Sequence, residues 1–122
     1  MATQNITSSS FKTILQQPGI VVLDWWAPWC GPCKRFAPIF EAASVKYPDI
    51  TWGKINTDEE TSLAGAFQIR SIPTLMAFRD GVLLFEQPGM LPSSALDKLV
   101  TELRKLDMGE VRRKLSEQQP AR

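Results

Sequence analysis

The chain has 122 residues, 43% of them hydrophobic and 22% charged, with 14 Lys and Arg against 13 Asp and Glu, two cysteines and no histidine. That length holds one core and excludes two ordinary domains, and the composition excludes both disorder and a disulfide-dense scaffold. A formal charge of +1 gives no global drive toward nucleic acid or an anionic membrane, and the lack of histidine excludes Ser–His or Cys–His catalysis and any imidazole metal site.

No apolar run approaches the roughly 18 residues of a membrane helix. The longest candidate, Ile20-Val21-Val22-Leu23, stops at Asp24. The first ten residues carry neither a basic nor an apolar segment and do not read as a signal peptide. The expected location is the cytoplasm, where structural disulfides are disfavoured.

Residues 1–7 are a candidate short edge strand. Ser8 to Gln17 predicts a helix, capped by Ser8 or Ser9, with Phe11, Ile14 and Leu15 at helical spacing and Pro18-Gly19 ending it. Ile20 to Trp26 is apolar and rich in β-branched residues, as a buried central strand requires. From Lys34 to Tyr47, Phe36, Ile39, Phe40, Ala43 and Tyr47 fall on one helical face, with Pro38 expected to kink it. Ile50 to Asn56 predicts the next strand. Thr57 and Glu60 have capping-box spacing for a short helix through Phe67. Thr74–Phe78 and Val82–Phe85 flank Asp80-Gly81, the signal for a tight hairpin. A turn from Gly89 to Pro92 precedes a last main helix with Leu96, Leu99, Val100, Leu103 and Leu106 on one stripe. Strand–helix–strand implies a parallel crossover and the hairpin an antiparallel pair. The predicted class is therefore α/β, a mixed central sheet with helices on both faces.

The chemistry concentrates in Trp29-Cys30-Gly31-Pro32-Cys33, between the central strand and the amphipathic helix. Unpaired N–H groups and the macrodipole at a helix start stabilise an anion, so Cys30 forms the nucleophilic thiolate more readily. Cys33 lies one turn on, within reach of Cys30 for a disulfide. Two other readings stand beside the redox pair: an inert buried pair, and half of a metal site completed by the pair of a second chain or by carboxylate ligands, since no further Cys or His exists to complete it. Asp24 interrupts the apolar strand, and by pattern it faces the interior, where burial raises a carboxyl pKa.

Trp29-Cys30-Gly31-Pro32-Cys33 resembles the active-site motif of the thioredoxin family. The likeness extends to Asp24, where the family has its buried aspartate, and to Pro38, its helix proline. It continues through Lys54, Ser71-Ile72-Pro73-Thr74 and Gly89, in the family's order, and with the element order it covers roughly residues 5 to 106. The resemblance implies a three-layer thioredoxin-like fold over residues 1–106 and a protein-disulfide reductase. In that reading Cys30 attacks a substrate disulfide and Cys33 resolves the mixed disulfide. Asp24 is the implied base for Cys33, tuned by Lys54. Pro73 is implied to be cis, with Trp29, Pro32, Ile72, Pro73, Gly89 and Met90 forming the substrate surface. Gly31 and Pro32 between the cysteines, with no histidine there, resemble the reducing members. No bound cofactor is implied: electrons come from NADPH through a flavoprotein thioredoxin reductase, and the partners are disulfide-containing proteins, met by a monomer. A binding module without redox activity remains the competing class.

Trp25 and Pro28 depart from the family pattern, and so does the end of the chain. Residues 107–122 read as an extension, a short helix or a soluble tail, with Val111 and Leu115 sharing a helical face. Arg112-Arg113-Lys114 reads as a solvated face, flanked by Asp107, Glu110 and Glu117.

Overall fold

The central strand β2 (Ile20–Trp26) has apolar side chains for both of its faces, and the sheet is assembled around it. In this computed structural model, residues 2–118 are described. Met1 and residues 119–122, which belong to the expected edge segment and the expected extension, lie outside the described residues. On one side β2 pairs in parallel with β3 (Thr51–Asn56), which pairs in parallel with β1 (Thr3–Asn5). On the other it pairs antiparallel with β4 (Thr74–Arg79), followed by β5 (Val82–Pro88), giving the order β1-β3-β2-β4-β5.

Successive side chains of a strand point to opposite faces, and β2 shows the consequence. Val21, Leu23 and Trp25 pack with Phe11 and Ile14 of α1 (Ser8–Gln16) and with the partly buried Leu63 and Ala64 of α3 (Thr61–Ala66). Val22 faces the other layer, with Phe36 and Phe40 of α2 (Gly31–Lys46) and Leu96 and Val100 of α4 (Ser93–Lys105). This is the three-layer α/β architecture expected. Asp24 and Trp26 share the parity of Val22, so Asp24 is directed toward the α2 layer.

Several local expectations are corrected. The helix α2 begins at Gly31 instead of Lys34, so the cysteine pair belongs to its first turn. Cys30 is the N-cap, and Pro32 occupies a position where no intrahelical N–H is needed. The cap of α1 is Thr7, one residue before the serines: the Thr7 N–H donates to Ser10 Oγ at 3.0 Å. The Thr57–Glu60 capping box does not form, and α3 starts only at Thr61. Both of its members serve other contacts. Thr57 donates its N–H and hydroxyl to the Trp26 carbonyl at 2.8 and 3.1 Å, while the Glu60 carboxylate accepts the Ser8 N–H at 2.7 Å. Strand β5 runs three residues past Phe85 because β4 continues to offer partners as far as Thr74. Proline is tolerated at its end, on an edge strand.

The hairpin turn is as the sequence required. Asp80 and Gly81 both have positive φ, 52° and 83°, matching the twist of the flanking strands. The end of the molecule bearing this turn is bound by side chains to α4 and to α5 (Met108–Gln118). Arg79 donates to the carbonyls of Leu103 and Leu106 at 2.8 and 2.9 Å, covering the orphan acceptors at the end of α4. Asp80 accepts the Gly19 N–H at 2.7 Å and pairs with Arg112 of α5 at 3.7 Å. Met108, at the start of α5, is buried. Among the described residues no helix is long and apolar enough to cross a membrane.

Candidate active site

The chain leaves β2 at Trp26 and reaches Cys30 in four residues, so the helix start sits at the carboxyl end of the central strand. The Cys30 N–H donates to the Ala27 carbonyl at 3.2 Å, closing this short loop. Cys30 and Cys33 are joined by a disulfide, with Cα atoms 5.2 Å apart. The Cys33 N–H, one of the helix-start donors with no carbonyl to serve, points at Cys30 Sγ at 3.1 Å. A thiolate at that sulfur would receive this hydrogen bond and the positive end of the α2 dipole together.

Exposure does not distinguish the two sulfurs' residues, at 4% for Cys30 and 3% for Cys33. Their neighbours do. Cys30 Sγ lies 3.7 Å from the Ile72 carbonyl oxygen, contributed from 42 residues away. Ile72, Trp26 and Ala27 pack around the pair as a small apolar cluster. The Ile72–Pro73 bond is cis. The Pro73 carbonyl accepts the Gly89 N–H at 2.7 Å, and Gly89 adopts φ +96°, a conformation that favours glycine. Cys30, Ile72, Pro73 and Gly89 are thus linked in one short chain of contacts. Met90 is exposed on the same turn, outside the apolar cluster at the sulfurs. Gly31 stands beside the Arg35 side chain at the start of α2.

Trp29 is 69% exposed, whereas Trp25, four residues earlier on β2, is fully buried. Its indole N–H donates to both carboxylate oxygens of Asp58, at 3.0 and 3.2 Å. Sequence reasoning missed Asp58, which it placed within a helix cap. The usable signal was positional: Asp58 follows the end of β3, and parallel strands bring their carboxyl ends to the same edge of the sheet.

On the face of β2 turned toward the α2 layer, Asp24 is 1% exposed, and neither carboxylate oxygen has a hydrogen-bond partner. Burial pushes its pKa from 3.8 to about 7, against the opposing pull of the Lys54 charge. Lys54 is the residue paired with Asp24 in the β2–β3 register, yet its ammonium sits over the Trp26 ring, 4.9 Å from the centroid. The carboxyl therefore feels a cation at a distance and no direct partner. Such a group exchanges a proton near neutral pH. Among the described residues no group of three or more His, Cys, Asp or Glu side chains is placed to hold a metal ion.

The model of the thioredoxin family matches residues 2–102. A relative described as putative thioredoxin 2 of Streptomyces coelicolor is 46% identical over 118 residues, covering 97% of this chain and 88% of the relative. The thioredoxin of Bacillus subtilis is 39% identical over 103 residues, covering 84% of this chain and 98% of the relative. Among solved structures, a mutant thioredoxin from Halobacterium salinarum superposes with a TM-score of 0.79 at 29% identity, covering 86% of this chain and 93% of that one.

Proposed function

The chain belongs to the thioredoxin family and is a thiol–disulfide oxidoreductase, and from that premise we propose that it works as a reductant of protein disulfides. The observation that carries the reading is the Cys33 N–H directed at Cys30 Sγ from the first turn of α2, which favours charge on that sulfur. The Cys30 thiolate attacks one sulfur of a substrate disulfide. One substrate thiolate leaves and a mixed disulfide forms. Cys33, having lost its proton, then attacks Cys30 Sγ. The second substrate thiolate leaves, and the two electrons of the dithiol now reside in the substrate, with Cys30 and Cys33 bonded.

Asp24 is the base that takes the Cys33 proton, a role its pKa of about 7 suits. Lys54 sets that affinity, since its charge opposes the effect of burial. Trp29, Ile72, Pro73, Gly89 and Met90 form the surface the substrate meets, with Ile72 offering its backbone to an extended segment. Gly31 and Pro32, with no histidine between the cysteines, support the reducing direction. The chemistry calls for no bound cofactor. Electrons return to the Cys30–Cys33 disulfide from NADPH through a flavoprotein thioredoxin reductase. The setting is the cytoplasm, the working form is a monomer, and residues 1–106 form the redox domain, with residues 107–122 as its extension.

Trapping tests the reading. A Cys33→Ser variant should accumulate disulfide-linked adducts through Cys30 on mixing with oxidised insulin, visible on a non-reducing gel. Cys30→Ser should form none and reduce no insulin. Full insulin reduction by the Cys30→Ser/Cys33→Ser double variant would overturn the reading and favour a binding module.

A further inference from the structure

Two apolar cavities, of about 310 and 300 Å³, lie along the side of the molecule between β5 and α4. Both are lined by Phe85, Leu99 and Glu102, so they form one groove. Its near end is lined by Gln87 and Leu91, which bracket the Gly89 turn bonded to Pro73 beside the cysteines. Its far end is closed by Val111 of α5. One wall, β5, is the edge strand of the sheet, paired with β4 on one side only. An edge strand presents unpaired N–H and C=O groups to whatever lies beside it.

We propose that this groove docks the polypeptide flanking a target disulfide, held as an extended strand along the free edge of β5 with alternate apolar side chains entering over Phe85 and Leu99. The inference rests on the redox reading above. Three features select this occupant. The groove is continuous with the turn that borders the redox site, so a chain reacting at Cys30 can run directly into it. A strand supplies the backbone groups that β5 lacks, and its period of two delivers side chains to one face only. The 13 residues of α4 span about 20 Å, which matches about six extended residues. The rim carries one charge of each sign, Lys98 and Glu102, so backbone pairing and apolar side chains hold the occupant, and its net charge does not. A second copy of the chain seated here would crowd the Gly89 turn that substrate must reach.

The test uses synthetic disulfide peptides, either unextended or carrying about seven alternating valine and threonine residues on one side of the cysteine. Two series place the extension N-terminal or C-terminal. With the intact chain, kcat/KM should rise about tenfold with the extension in one series, mainly through KM. Ala95→Trp, which fills the groove near its open end, should abolish that rise and leave the unextended peptide's rate unchanged. A disulfide-free peptide of the same alternating sequence should compete with the extended substrate alone. If Ala95→Trp also slows the unextended peptide, the competition result decides. Equal rates with and without extension in both series, or a competitor without effect, overturn the docking groove while the redox reading stands. Failure of the intact chain to reduce any of these peptides overturns both.

Discussion

The two ends of helix α2 are built on opposite principles. At its carboxyl end the polar groups are saturated. Asp97 of α4 accepts the Tyr47 hydroxyl at 2.7 Å and the Lys46 ammonium at 2.9 Å, which holds its carboxyl below the usual carboxylate range. Trp52 donates its indole N–H to the Tyr47 carbonyl at 3.0 Å, and Arg104 pairs with Asp49 at 2.8 Å while stacking over the Tyr47 ring. Toward its amino end the opposite holds: Cys30 Sγ is served by a backbone N–H, and Asp24, on the face of β2 turned toward the α2 layer, has no hydrogen-bond partner. A buried carboxyl without a partner is costly, and among the described buried side chains only the indole N–H groups of Trp25 and Trp26, its neighbours in β2, share that lack of a partner. The saturated end anchors the helix; the unsatisfied end is free to change its charge.

The comparison breaks most visibly if Asp24 is neutralised. Asp24→Asn should slow release of the mixed disulfide about 10- to 100-fold near pH 7 and flatten its pH dependence, read by stopped-flow quenching or by adduct lifetime. The same change should stabilise the protein. Below about pH 3.8 the carboxyl is protonated folded or unfolded. Between there and about pH 7 the unfolded chain has released the proton while the folded chain keeps it, so stability falls as pH rises and the loss is complete above pH 7. The difference from 3.8 to about 7 corresponds to at most about 4 kcal/mol. Urea melts at pH 5 and pH 8 should show a smaller gap for Asp24→Asn than for the parent chain.

Lys54→Met sharpens the same contrast. Removing the cation leaves burial unopposed, so the carboxyl pKa should move further up, and the pH profile of mixed-disulfide release should shift to higher pH with it. An unshifted profile would separate Lys54 from Asp24. A smaller effect belongs to the substrate surface. Trp29→Phe removes the indole donor to Asp58, and kcat/KM for a protein disulfide should fall about threefold, the scale of one hydrogen bond's contribution. Asp58→Ala, which removes the acceptor, should give a similar loss, and the double variant should not add the two, because both break one contact. The smallest effect is expected at the saturated end. Tyr47→Phe should lower the melting temperature slightly and leave kcat/KM unchanged, since Asp97 retains Lys46.

What was legible in the chain follows from local rules. A charge among Ile20 to Trp26 marks its own burial, because a central strand has no solvent face to offer it. The cysteine pair, three apart at a strand-to-helix junction, announces its own proximity. The turn at Asp80-Gly81 required residues that accept positive φ, and those residues are there. What was misread had correct local signals overruled by distant ones. Thr57 and Glu60 had the spacing of a capping box, but Trp26 and Ser8 took them first. The missed partner of Trp29 lies 29 residues away, where no local pattern marks it.

The sequence by itself therefore marked the cysteine pair, the burial of Asp24 and the class of fold, because covalent geometry imposes a period of two on strands and 3.6 on helices whatever surrounds them. Only the tertiary structure decided which groups meet the sulfur and the carboxyl. The Ile72 carbonyl at Cys30, the cis Ile72–Pro73 bond, the displaced ammonium of Lys54 over Trp26 and the groove leading from Gly89 to α5 all depend on how separate segments pack. Those contacts join segments distant in the chain, and packing, with its demand that polar groups find partners, chooses among them.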